Sequence, residues 1–509
     1  MPVYDKNLLA LEGKNPLLAF QLLTLKNPAS PKKREPFPKS TAEVLYVEGI
    51  GDEKWIEKAL DWIASDPKRS LVLIEENLSA FHPFLSQALA EKIVQHPRVV
   101  IGGPSFEETL KPFVWSHLYR PWECHGNPAM QGRIAELVLG IELTVCLYRD
   151  FGIPQLMNVF SNLLASQNVR SGEALFGKFT KIPALICGAG PSLDKSLDTL
   201  KALGNQALLF GGGSALLPLS RAGVPMHFAV ALDPESPRER FFEQTYFDVP
   251  LFYQNQVSHP LFMQSQGPKL CIGESGSFPL EEWLDLPLSP CDVGWNVATF
   301  ATQIAYQLGC DPILFVGMDL CCSPEKAYAG GMEELRENPL VCTDRLGNRV
   351  TTRPDFLMAK KWLETFAKAH PERTFLNASE GGLELEGIKN VPLSMEAPST
   401  DLQGRVHQAI AQVPLLDLST LPSKLHTIYQ SLNHCLDILG TYQEVELDHE
   451  IFYQAHLLPN WEVWKHFLQK EEIVQSMQHP EIEKKLQQTL FFREVTEKFR
   501  NEYERKLPV

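Results

Sequence analysis

Four stretches of the chain end in residues that can hold an anion or move a proton. Gly188-Ala189-Gly190-Pro191-Ser192 follows the apolar run Pro183–Cys187 and opens a segment with helically spaced leucines, Leu193 to Leu200. A strand, a glycine turn and a helix start bring backbone N–H groups and the positive end of a helix to one point, and a phosphate is the natural guest there. Pro191 suits the first helical turn, where a missing N–H costs nothing, and the Ser192 hydroxyl can aim at the same place. Gly211-Gly212-Gly213-Ser214 is a second glycine turn, after the run Gln206–Phe210. Pro225–Asp233 is an apolar run ending on an acid, and Pro312–Leu320 is another, carrying Gly317 and Asp319. The amides of Gly188 to Ser192 suit a nucleotide phosphate. Gly212, Gly213, Ser214, Asp233 and Gly317 complete a nucleotide pocket. Asp319 is a candidate to activate an acceptor or, with Asp233, to hold a metal. Asn296 and Asn377 are candidate contacts to an acceptor or a sugar.

These residues need a frame that gathers them. Short apolar runs alternate with helical patterns, which is the signature of a parallel α/β sheet, and in open sheets of that kind ligands bind at the carboxyl edge. Two glycine turns and an acid at one edge are more specific than any one of them. A first unit has the same order: Glu43–Gly51, Trp55–Ala64, Arg69–Glu76, Ala80–Gln95 and Val99–Gly102 read strand, helix, strand, helix, strand. Its Gly49-x-Gly51 lacks a third glycine, and Asp52-Glu53 at the helix start would repel a phosphate, so it reads as a degenerate Rossmann-like scaffold. Trp115 to Ala165 reads as mostly helical, with His125 structural, and Arg345–Arg349 as a hairpin tip. From Val406 onward the pattern is helical. The expected division is an arm at 1–40, the degenerate unit at 41–115, a helical bridge at 116–180, the central domain at 181–395 and a helical C-terminal region at 396–509.

With 509 residues, 44% hydrophobic and 21% charged, the chain reads as a globular protein of two or three domains. A net charge of −15 argues against nucleic acid as a partner. No apolar run is long enough for a membrane span and no secretory signal is visible. Ten scattered cysteines without a Cys-x-x-Cys pair suggest reduced thiols and a cytoplasmic location.

Cys187-Gly-Ala-Gly-Pro-Ser-Leu-Asp194 resembles the signature of the family that joins bacterial motility accessory factors with archaeal MptE-like 6-hydroxymethylpterin diphosphokinases. So do Pro225–Asp233 with Pro234, Leu308–Leu320 and Asn377-Ala-Ser-Glu-Gly-Gly382. The flanking regions resemble the full-length accessory factors better than the short kinases. The resemblance implies an α/β fold whose central Rossmann-like sheet domain is similar to sialyltransferases that use CMP-activated sugars. It implies transfer of a nonulosonic, sialic-acid-like sugar from a CMP-linked donor to Ser/Thr of a protein such as flagellin, without a required cofactor. The alternatives are a Mg2+-dependent diphosphokinase acting from ATP on a pterin, and a nucleotide-binding scaffold or chaperone without turnover. The sequence departs from the accessory-factor pattern twice. Ala327-Tyr328-Ala329 stands where those proteins usually place a histidine, which makes Tyr328 a catalytic candidate, and Met318 replaces a usual glutamine. With a phenol pKa near 10, Tyr328 would be a poor base without help.

Overall fold

The computed structural model describes residues 2–25, 36–166, 168–235, 248–274, 283–322, 329, 340–395, 400–441 and 444–506. The chain forms two compact units. One holds Met1–Cys146 with Val463–Lys484, the other Leu147–Glu462 with Lys485–Val509.

The first unit is built on four parallel strands, β1 (Val44–Glu48), β2 (Ser70–Ile74), β3 (Val99–Gly102) and β4 (Trp122–His125), in the order β3-β2-β1-β4. Helix Glu53–Ala64 is capped by Asp52, whose carboxylate accepts the Trp55 N–H at 3.0 Å. The helix buries Trp55, Ile56, Ala59, Trp62 and Ile63, which lie three and four apart on one face. A β-carbon on Gly51 would fall 2.2 Å from the Trp55 ring. That glycine therefore lets the helix close on the sheet. At the end of β1 the Glu48 carboxylate accepts the Asn127 backbone N–H at 2.6 Å and its side-chain amide at 2.8 Å. Glu48 thus ties the end of β1 to the start of the helix that follows β4. Strand β4 lies inside the stretch read as helical. The helix that follows, Pro128–Leu164, has 37 residues.

The second unit carries nine parallel strands: β5 (Val169–Ser171), β6 (Ala184–Cys187), β7 (Leu208–Gly212), β8 (Phe228–Ala231), β9 (Leu251–Tyr253), β10 (Lys269–Cys271), β13 (Ile313–Val316), β16 (Phe375–Asn377) and β17 (Lys389–Asn390). Their order is β17-β16-β13-β6-β7-β8-β9-β10-β5. A short parallel pair, β11 (Gly273–Glu274) with β12 (Pro290–Cys291), and the hairpin β14 (Leu340–Thr343) with β15 (Arg349–Thr352) complete the strands. The hairpin is the one expected around Arg345–Arg349. Strand β5, in the segment read as a helical bridge, closes one edge of the sheet instead. Its three residues are too few to show a period.

The sheet is buried on both faces, and its alternating residues divide between two cores. Ala184, Ile186, Leu208, Phe210, Phe228, Val230, Ile313 and Phe315 pack into one. Leu185, Cys187, Leu209, Ala229, Ala231, Leu314 and Val316 pack into the other. This period of two gives near-continuous hydrophobic runs rather than amphipathic strands. Phe228 packs between Phe210, against which it stacks, and the tilted ring of Phe252, with centroids 5.2 Å away in each case. Strands β7 to β10 run out to one side of β6, while β13, β16 and β17 lie on the other, so the winding reverses between β6 and β13. The C-terminal region is helical, with Leu402–Ala411, Leu421–Thr441 and Pro480–Lys506 its main helices. Among the described residues no helix is long and apolar enough to cross a membrane.

Candidate functional site

Parallel strands put every strand-to-helix turn on one edge, and the winding reversal between β6 and β13 marks the crevice where α/β proteins take ligands. The turns after those two strands touch. The N–H groups of Gly188 and Gly190 donate to the carbonyls of Val316 and Gly317, each at 2.8 Å. A β-carbon on Gly188 would lie 2.5 Å from the Gly317 oxygen, and one on Gly190 would lie 2.6 Å from the Asp319 β-carbon. Gly317, with φ of +64°, would meet the Gly188 oxygen and the Leu193 β-carbon at 2.7 Å each. The glycines of the signature are thus required by contact between two loops of the protein itself.

Asp319 completes that contact. It is 3% exposed. Its Oδ2 accepts the Ser192 N–H at 2.7 Å and its Oδ1 accepts the Ser192 hydroxyl. Ser192 precedes the helix Leu193–Leu203. The anion at this helix start is therefore a carboxylate of the chain. Burial pushes the Asp319 carboxyl above its ordinary value, against the opposing pull of the two Ser192 bonds, Lys195 and Arg345. Ser192 is itself buried, so its hydroxyl serves Asp319 and not a solvent-side phosphate.

A third loop backs the first two. Asn377 is fully buried; its Nδ2 donates to Asn390 at 2.9 Å and its Oδ1 accepts the Ser379 N–H at 3.1 Å. The Ser379 hydroxyl accepts the Met318 N–H at 2.8 Å, and Leu383 donates to the Asp319 carbonyl at 2.9 Å. The Arg345 side chain, at the hairpin tip, donates to the Ser379 carbonyl at 2.7 Å. The expectation that Asn377 touches a sugar or acceptor is corrected here. Both ends of its amide are used inside the protein, and it holds up the Asp319 turn.

On the other side of β6 the site is more open. Gly212 is tight: a β-carbon would lie 2.2 Å from the Val230 oxygen and 2.3 Å from Val297. Gly213, at φ +52°, has ordinary clearances of 3.7 Å to Val297 and 3.9 Å to the Asp233 carboxylate. Ser214 is buried and Asp233 exposed. Asn296 caps the helix Val297–Leu308, accepting the N–H groups of Ala298 and Thr299 at 3.0 and 2.9 Å. Ala189 and Pro191 are half-buried at the lip of the loop, and Ala329 donates to the Ala189 carbonyl at 2.9 Å. Ala189, Gly190, Pro191, Gly212, Gly213, Asp233 and Asn296 are the described candidates left with some exposure. Tyr328 lies outside the described residues.

Both oxygens of Asp319 are taken by Ser192, and among the described residues no three His, Cys, Asp or Glu side chains stand close enough together to hold an ion.

Reading the sequence missed an amide cluster on the same edge. Asn158 and Asn162 lie one turn apart on the helix Pro128–Leu164. Asn158 reaches the carbonyls of Pro234 and Gln256, at 2.7 and 3.1 Å. Asn162 reaches those of Asn255 and Val257, both at 2.8 Å. The sequence held a signal for them: two asparagines four apart within the apolar run Leu156–Leu164 need buried partners.

Comparison with known proteins places this sheet. Residues 157–325 match the family described as 6-hydroxymethylpterin diphosphokinase MptE-like, so the resemblance read from Cys187–Asp194 holds across the core of the second unit. A protein of Treponema pallidum (strain Nichols), described only as an uncharacterized protein, is 23% identical over 168 residues, covering 32% of this chain and 74% of its own length. The structure of the MAf glycosyltransferase from Magnetospirillum magneticum AMB-1 superposes with a TM-score of 0.57 at 13% identity, over 99% of this chain and 94% of that one. The expected α/β architecture is therefore shared along nearly the whole chain.

Proposed function

We propose that the chain is a glycosyltransferase of the motility accessory factor type. It takes a nonulosonic, sialic-acid-like sugar from a CMP-linked donor and passes it to a Ser/Thr hydroxyl of a protein such as flagellin. One observation carries the reading: the likeness to the MAf glycosyltransferase covers 99% of this chain, flanking regions included, and not the MptE-like core alone.

The residues support a division of labour. Gly213 and Asp233 form an open, acidic rim for the ribose and base. Ala189 and Pro191 line the lip beside it, and Lys195, exposed on the first turn of the helix Leu193–Leu203, supplies positive charge for the leaving phosphate. Asp319, closed off by Ser192, shapes the loop and takes no part in proton transfer. Catalysis here is positioning plus stabilisation of charge on the departing phosphate. The diphosphokinase alternative needs Mg2+, and the Asp319 oxygens it would use already accept from Ser192.

Calorimetry with CMP, a CMP-linked nonulosonic acid and ATP, followed by transfer to a Ser/Thr acceptor protein, tests the reading. CMP binding with sugar transfer supports it. Binding of ATP alone, or CMP binding without transfer to any acceptor, overturns it.

A further inference from the structure

The groups described so far offer no base for the acceptor hydroxyl, because the Asp319 carboxylate is spent on Ser192. The loop after β16, Asn377-Ala-Ser-Glu-Gly-Gly382, carries another carboxylate. Its first three side chains are used inside the protein. The Asn377 amide holds Ser379 and Asn390, Ala378 is buried, and the Ser379 hydroxyl accepts the Met318 N–H. Glu380 differs from all three. Its side chain is 56% exposed, and its one partner among the described residues is the Lys195 Nζ at 3.8 Å. That separation is an ion pair beyond hydrogen-bond length, so the carboxylate oxygens keep their lone pairs for an incoming hydroxyl.

Contacts on two sides put Glu380 beside the glycine turn. Lys195 stands on the first turn of the helix Leu193–Leu203, three residues after Ser192. A β-carbon on Gly382 would lie 2.4 Å from the Asp319 α-carbon, and one on Gly190 would lie 2.6 Å from the Asp319 β-carbon. The loop of Glu380 and the loop of Gly190 therefore press on the same aspartate. Arg345 pins the backbone around Glu380. Its Nη2 donates to the Ser379 carbonyl at 2.7 Å and its Nε to the Gly381 carbonyl at 3.4 Å, one residue to either side. The Arg345 backbone N–H donates to the Gly382 carbonyl at 3.0 Å. A carboxylate on a loop held this way meets a substrate without first ordering the loop.

We propose that Glu380 is the catalytic base of the transfer, with Arg345 as a positioning residue; the proposal rests on the glycosyltransferase reading above. Lys195 joins the two halves of the reaction. The donor's phosphate draws its ammonium away from Glu380, and the released carboxylate is open to the acceptor. Glu380 takes the proton from the Ser/Thr hydroxyl as that oxygen bonds to the anomeric carbon. The bond from the same carbon to the donor's phosphate oxygen breaks, and its electron pair leaves with CMP. The proton passes from the Glu380 carboxyl to solvent. A positioned base of this kind contributes about 10²–10⁴-fold to rate.

The test uses the full chain, a CMP-linked nonulosonic acid and a Ser/Thr acceptor protein. Glu380→Gln should lower kcat about 100-fold while CMP affinity stays within about threefold. Turnover of Glu380→Gly should rise with added formate or acetate, which a merely structural gap would not show. Arg345→Lys keeps the charge but cannot span the two carbonyls; it should lower kcat and leave the acceptor KM unchanged. A rise in acceptor KM at unchanged kcat would remove Arg345 from the positioning role. Should the native enzyme transfer sugar and Glu380→Gln turn over within threefold of it, or should small carboxylates restore nothing, Glu380 is not the base. A native chain that binds CMP yet transfers nothing fails at the glycosyltransferase reading itself, and the base falls with it.

Discussion

Asp319 and Ser192 are 127 residues apart in the chain, yet the carboxylate of one accepts both the N–H and the hydroxyl of the other. That contact makes the glycine loop a joint between two strand ends before it is anything else. Asp319→Ala would leave the buried Ser192 N–H without an acceptor, at a cost of about 1–3 kcal/mol. Chemical denaturation should show that loss in the midpoint, with little change in slope. Asp319→Asn keeps one acceptor and should cost less.

Gly190 and Gly213 should separate packing from binding. A methyl on Gly190 falls 2.6 Å from the Asp319 β-carbon, so Gly190→Ala should destabilise by about 1–3 kcal/mol and weaken CMP binding with it. Gly213→Ala meets nothing closer than 3.7 Å and bears only the strain of its positive φ. It should unfold within about 1 kcal/mol of the native chain, while CMP affinity, read by calorimetry, falls. Equal CMP affinity in Gly213→Ala and the native chain would remove this residue from the nucleotide rim.

Asn377→Ala should behave as a stability variant. Its amide holds Ser379 and Asn390 from a fully buried position. Thermal unfolding should shift down by the equivalent of about 1–3 kcal/mol, and KM for the acceptor protein should not move at temperatures where the variant is folded. A selective rise in acceptor KM would return Asn377 to the substrate.

Two buried histidines set an acid limit on stability. Burial holds His227 down to about 4 and His456 down to about 3. His227 accepts the Leu209 N–H on Nδ1 at 3.1 Å. Among the described residues neither ring nitrogen of His456 has a hydrogen-bond partner, in a turn packed against Phe452 and Phe499. The fold keeps both neutral, whereas the unfolded chain protonates them near the usual 6.5. Their contribution is therefore complete above about pH 6.5 and is lost as pH falls from there toward 4 and below. His456→Leu should flatten the acid limb by about 2–3 kcal/mol between pH 6.5 and 4, measured by denaturant titration. An unchanged limb would show that His456 takes up its proton without unfolding.

Much of the frame was legible because a buried parallel strand is a bare apolar run. Pro183–Cys187, Gln206–Phe210 and Pro312–Leu320 each lie on a strand found at that place. Strands β5 and β17 were not legible, since three and two residues carry no period and are held by their neighbours alone. At the site the residues were found but their partners were not. Glycine spacing announces that something approaches the backbone closely; it does not say whether the visitor is a phosphate or Asp319. Asn377 looked available because a polar residue after a strand is usually solvent-facing, and burial decided otherwise. The contact between Asn162 and His259 gave no sign in one dimension, because the two residues lie 97 apart in the chain.

The strand order also sets a schedule for synthesis. Strand β6 sits mid-sheet, but the partner on one of its sides is β13, so Ala184 waits for Ile313. At the far edge Val169 waits for Lys269. A nascent chain emerging from the ribosome can pair β6 through β9 in turn, while the flank of β6 that will carry the glycine loop stays bare for more than a hundred residues. Closing such long loops is slow, and an unpaired strand flank is where aggregation begins. Chains cut short between Cys187 and Ile313 should therefore be sticky intermediates, and the loop should take its shape only once Asp319 has been made.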